Sequence, residues 1–196
     1  MNNLIWQFRE IKQEETKVEG QHLEHFRSEA LSEVVHALIR EDIQNRLDQR
    51  GENVSPSDPV RVRYCLNSPQ QKLSQGRSEK WFSGLDFHLN SQGSLRQLRM
   101  DSFNLNRDVS FLTIEDFNTT GLRGDTSQTR DPREDQEKNE GRNDFYWFIR
   151  NVGRSSKGGA DRGRWGLGKI VYPASSQIRS FFAYSVREQD GQNILM

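Results

Sequence analysis

The chain has 196 residues, long enough for one domain with a short extension, and its mean hydropathy of −0.93 with 29% charged residues points to a modest core under long polar loops. Twenty-eight basic and 28 acidic residues cancel, so global charge gives no argument for nucleic acid or a membrane surface as partner. The lone Cys65 excludes an intramolecular disulfide and a cysteine zinc site and fits the reducing cytoplasm, and no apolar run approaches a membrane span.

Leu4, Ile5, Trp6 and Phe8 begin an N-terminal arm, residues 1–27. From about Ser28 to Arg50, Leu31, Val34, Val35, Leu38, Ile39, Ile43 and Leu47 recur at three- and four-residue steps, which predicts a helix. Ser55-Pro56-Ser57-Asp58-Pro59 predicts a turn. Val60 to Leu66 alternates apolar with Arg61, Arg63 and Cys65, the pattern of a half-buried strand. Residues 67–79 read as a polar loop, Trp81 to Leu89 as an amphipathic stretch of open type, and Val109 to Ile114 as a buried strand. Residues 123–143 carry no apolar periodicity and read as a mobile surface insert. Ile170 to Ser176 looks like a helix disturbed by Pro173. Phe181 to Val186 and Asn193 to Met196 read as two strands about a turn at Asp190-Gly191, and so apolar an ending suggests a truncated domain.

Three segments carry chemistry. At about 100° per residue, Glu41, Asn45 and Asp48 fall within roughly 60° on one helix face. A carboxylate there can accept a proton from water, an amide oxygen can ligate Mg²⁺, and the second carboxylate can orient a ligand or the metal's waters. Taken alone, such a stripe is more often a solvated face. Asp116 follows a strand and precedes Asn118-Thr119-Thr120-Gly121, so it can read an exocyclic amine such as adenine N6, or simply close a turn. Gly163, Gly166 and Gly168 permit close backbone approach, and Lys169 adds charge. Residues 142–169 hold seven basic residues, Lys157 among them, against two acidic ones, a balance that suits a triphosphate; a flexible linker is the plainer alternative. His22, His25, His36 and His88 show no ligand cluster or triad context, and Trp147 and Trp165 read as packing residues.

In this order the three segments resemble the GHKL superfamily of ATPases, which includes gyrase B, the ninety-kilodalton heat-shock chaperones, MutL, MORC proteins and histidine kinases. The resemblance spans residues 28–196. It implies an α+β fold of Bergerat type, a two-layer α/β sandwich in which a mixed, mostly antiparallel sheet carries helices on one face. It implies ATP and Mg²⁺ as ligands, Glu41 as general base, and Asn45 as Mg²⁺ ligand. Asp48, Asp116, Gly121, Lys157, Gly163, Gly166, Gly168 and Lys169 would lie in the ATP site, with residues 150–162 as a lid. Asn118 stands where the family has its first glycine, and Asn tolerates positive φ. The transducer domain with its catalytic lysine has no counterpart, and neither Lys157 nor Lys169 is assigned its place.

Glu41 favours the hydrolytic branch over the kinases. The wording around Asn118 to Gly121 and the 123–143 insert resemble bacterial ATPases akin to the ninety-kilodalton chaperones, of the kind associated with restriction or phage defence. The expected use is a conformational switch with an ATP-dependent homodimer and an unidentified protein partner. The alternatives are a non-hydrolysing nucleotide-sensing module and a histidine-kinase-like phosphotransfer domain.

Overall fold

The computed structural model describes Trp6, Phe8, residues 31–91, Ser102, Asn104, and residues 108–128, 143–150 and 168–196. The fold class is α+β, with helices and antiparallel strands in two small sheets. Two units interleave along the chain, one of Met1–Glu19 with Arg63–Glu115 and one of Gly20–Val62 with Asp116–Met196.

β1 (Arg61–Leu66) and β2 (Leu112–Phe117), of which Arg63–Leu66 and Leu112–Glu115 belong to the first unit, form a two-stranded sheet. Arg63 pairs with Glu115 at 2.6 Å, and Asn67 N donates to Phe111 O at 3.3 Å, so the partner number falls as the strand advances and the pair is antiparallel. The strand expected over 109–114 is shifted to 112–117 and is not buried, since Leu112 and Phe117 are exposed. Asn67 Oδ1 takes the Phe111 amide at 2.7 Å and ends the ladder there, while Val109 forms a separate bridge with Leu73.

The polar loop expected over 67–79 is instead partly helical: a 3₁₀ turn at Pro69–Gln71, then α2 (Gln75–Phe82). Ser78 and Phe82, four residues apart, are the buried residues of α2, so its inward face carries too little apolar signal to read as a period. Gly84, at φ +85°, breaks the 81–89 stretch, and α3 (Leu85–Leu89) turns in Leu85 and Leu89. Phe8 stacks on His88 at 3.8 Å.

In the second unit, α1 (Leu31–Leu47) packs against a 3₁₀ turn at Gly168–Ile170 and α4 (Val171–Ser175). Neither Gly nor Pro interrupts α1, and Arg46 in its last turn suits the negative end of the helix dipole. Its inward arc runs through Ala37, Leu38 and the fully buried Asp42, with Glu41 and Asn45 half-buried. Val35, Ile39, Ile43 and Leu47, at four-residue steps, form an exposed ridge. The inward side of α1 is therefore mixed, with Asp42, Glu41 and Asn45 beside Ala37 and Leu38.

Phe145, Tyr146 and Trp147 are buried with Ile170, Val171 and Tyr172, and Phe148, Tyr172 and Phe181 cluster at ring-centroid distances of 5.6–6.3 Å. At the described ends of the 123–143 insert, Asn143 Nδ2 donates to Asp125 O at 3.1 Å. Asn143 is buried and its Oδ1 accepts the Tyr146 amide at 2.9 Å, capping the helical turn that follows. Gly124 lies so close that a Cβ on it would stand 2.3 Å from Asn143 Oδ1.

β3 (Tyr184–Val186) and β4 (Asn193–Leu195) form an antiparallel hairpin with Ser185 opposite Ile194. Gly191, at φ +66°, turns the chain between them, as the Asp-Gly pair leads one to expect. Three distant segments are stitched together beside it. Thr120 N donates to Gln49 O at 2.8 Å, Gly51 N to Asn118 O at 2.9 Å, and Glu188 N to Thr120 O at 2.9 Å.

Candidate functional site

The second unit gathers part of the expected constellation. A Cβ built on Gly168 would stand 3.1 Å from Glu41 Oε2 and 3.6 Å from Asn45 Oδ1, so the backbone at 168 lies directly against both side chains. Glu41, Asn45 and Gly168, separated by more than 120 residues of sequence, therefore form one cluster. Its exposed neighbour Arg40 approaches Glu41 through Nε at 3.1 Å. Asp48 is exposed and lies outside this cluster's buried arc.

Asp116, at the end of β2, has both carboxylate oxygens engaged. Thr119 Oγ1 donates to Oδ2 at 2.7 Å, which closes the turn. Arg46 Nε faces Oδ1 at 3.8 Å, an ion-pair distance rather than a hydrogen bond. Asn118 occupies the left-handed region at φ +66°, so asparagine does take the conformation expected of it beside Asp116. Gly121 is a tight crossing point: at φ +67°, a Cβ would stand 2.2 Å from Val186 O.

Lys169 donates from Nζ to the Trp147 carbonyl, and desolvation lowers its pKa to about 8. Lys157, Gly163 and Gly166, the 150–162 lid beyond Arg150, and His22 and His25 lie outside the described residues.

The sequence reading passed over Asp42, Arg46 and Tyr172. Asp42 Oδ1 accepts from the Tyr172 hydroxyl at 2.7 Å and pairs with Arg46 Nη2 at 3.0 Å. The Arg46 guanidinium lies over the Tyr172 ring, 5.9 Å from its centroid. Burial pushes the Tyr172 hydroxyl well above the usual phenol range. A carboxylate with no exposed surface is tolerable only when paired in this way. The one signal in sequence is the i,i+4 spacing of Asp42 and Arg46, which on most helices marks an exposed pair.

The donor set at the cluster is hard oxygen, a carboxylate at Glu41 and an amide at Asn45, the kind that suits Mg²⁺ with retained waters. A Cβ at 168 would crowd Glu41 Oε2, so glycine is what permits the close backbone approach to both groups. Among the described residues, no group of three or more His, Cys, Asp or Glu is placed to hold a metal ion, so a metal here would rely on Asn45, water and substrate oxygens. Among the described residues no helix is long and apolar enough to cross a membrane. Comparison of the chain with protein-family models, with curated proteins and with solved structures finds no match.

Proposed function

We propose that the chain binds ATP with Mg²⁺ in a Bergerat-type site and hydrolyses it, using the cycle as a conformational switch. The observation that carries this reading is the approach of the Gly168 backbone to Glu41 and Asn45. It joins a carboxylate, an amide oxygen and a glycine-rich, basic segment that are remote in sequence. Glu41 would accept the proton of a water attacking the γ-phosphate, Asn45 would hold Mg²⁺, and Asp116 would accept a hydrogen bond from the adenine amine. Bound Mg²⁺ would neutralise charge on the phosphate oxygens. Backbone N–H groups near Gly168 and the basic residues of the same segment would hold the phosphates.

Calorimetric titration of ATP with Mg²⁺, together with phosphate release, tests the proposal. The wild type is expected to bind and turn over ATP, Glu41→Ala to bind without turnover, and Asp116→Asn to lose binding. Turnover unchanged in Glu41→Ala removes that residue from its role, and no binding by the wild type refutes the function.

A further inference from the structure

We propose that Arg46 and Tyr172 are positioning residues for the nucleotide, acting through Asp42 to hold Asp116 in one frame with α1. The inference rests on the ATP-binding reading and adds a specificity determinant to it. Four side chains make a continuous path: Tyr172 donates to Asp42 at 2.7 Å, Asp42 pairs with Arg46 at 3.0 Å, and Arg46 faces Asp116 at 3.8 Å. The path runs from the helix that follows Gly168 to the proposed base-reading carboxylate. Asp42 within it is 0% exposed, whereas Asp116 is half-buried.

The geometry also assigns Arg46 a part that lysine cannot play. Its Nη2 meets Asp42 while its Nε faces Asp116, so a rigid fork spans two carboxylates on different elements. A lysine ammonium at the end of a flexible stem can serve one of them, not both. Thr119 fixes one oxygen of Asp116 and Arg46 confronts the other, which orients the carboxylate along a single direction. Tyr172 lies two residues after Ile170, which ends the turn beginning at Gly168, so the path is anchored next to that turn.

The test is competition binding of ATP and UTP, each with Mg²⁺, to the whole chain. UTP lacks the exocyclic amine that Asp116 would read. The wild type should prefer ATP. Arg46→Lys should weaken ATP binding about tenfold, leave UTP binding within about twofold, and bring the preference towards one. Tyr172→Phe keeps the ring beneath Arg46 and removes only the hydroxyl; it should weaken ATP several-fold and leave UTP binding within about twofold. Circular dichroism and urea unfolding establish that each variant is folded. Equal losses for ATP and UTP, or no loss, overturn the positioning role while leaving ATP binding intact. A wild type that binds neither nucleotide overturns the function and this role with it.

Discussion

Replacing Gly168 with alanine separates stability from function. The φ of Gly168 is not in the left-handed region, so alanine fits the backbone there. Loss of glycine's freedom in the unfolded chain then stabilises the fold by about 0.4–1 kcal/mol. The new methyl, however, would stand 3.1 Å from Glu41 Oε2, where ordinary contact begins at 3.4 Å, so the carboxylate must retreat by roughly 0.3 Å. Only the largely exposed Arg40 resists that movement among the ion pairs of Glu41, and such pairs are weak. Asn45, at 3.6 and 3.7 Å, is already in ordinary contact and need not move. A general base displaced on this scale costs about tenfold in turnover, while ATP affinity should stay within about threefold because Asn45 and Asp116 are untouched. Urea unfolding, calorimetry and phosphate release on Gly168→Ala measure the three quantities separately. Wild-type turnover in a variant that is at least as stable as the parent would refute the placement of Glu41 as base. A marked loss of stability would refute the close, unstrained approach at 168.

Gly121→Ala should behave oppositely. Left-handed strain of about 1–2 kcal/mol adds to a Cβ placed 2.2 Å from Val186 O, so urea unfolding should show a loss of about 3 kcal/mol or more, and a neutral result would contradict the crossing. Asp42→Ala leaves Arg46 and the Tyr172 hydroxyl without their shared carboxylate in a buried place, an expected loss of about 3 kcal/mol; Asp42→Ala unfolding at the wild-type midpoint would show that the pair contributes little. Lys169 has a folded pKa lowered to about 8 from 10.5, so between those values the unfolded chain holds a proton that the folded chain has released. Stability should therefore rise with pH across that window by about 2 kcal/mol after allowance for solvent screening, and Lys169→Met should flatten the rise; identical pH profiles would refute the desolvated ammonium.

Periodicity marked α1 and β1 as elements, and the Asp190-Gly191 turn marked the β3–β4 hairpin; yet Val35, Ile39, Ile43 and Leu47 lie exposed on α1, so the apolar period located the helix and not its inward face. The helix α2 was hidden because, among its described side chains, Ser78 and Phe82 are the buried ones, and a buried serine looks like a surface one in sequence. Glu41, Asn45 and Gly168 were legible as separate motifs, and their juxtaposition became an observation only through the packing of α1 on the turn at Gly168. The Asp42–Arg46–Tyr172 path was not legible: an acid and a base four apart announce a solvated pair, and the tyrosine that buries them lies 130 residues away from Asp42. Gly121 was read as a ligand-site glycine, yet its contact with Val186 gives it a backbone role sufficient to explain the residue type.

The stitching of residues 49–53, 118–122 and 185–188 bears on the order in which the second unit is built. Thr120 meets Gln49 across 71 residues of chain, and Asn53 meets Glu188 across 135. Each closure must overcome loop entropy before its hydrogen bonds return anything, and that entropy grows only slowly, by about 0.6 kcal/mol per doubling of loop length. The β3–β4 hairpin needs a six-residue connection between Val186 and Asn193 and can form early on its own. Formation of the three-way seam is therefore the slow event, and substitutions at Thr120 should retard refolding if the seam is already made at the barrier. Changes of length within the closed loops, by the same logarithm, should alter the rate far less than a change of one seam residue.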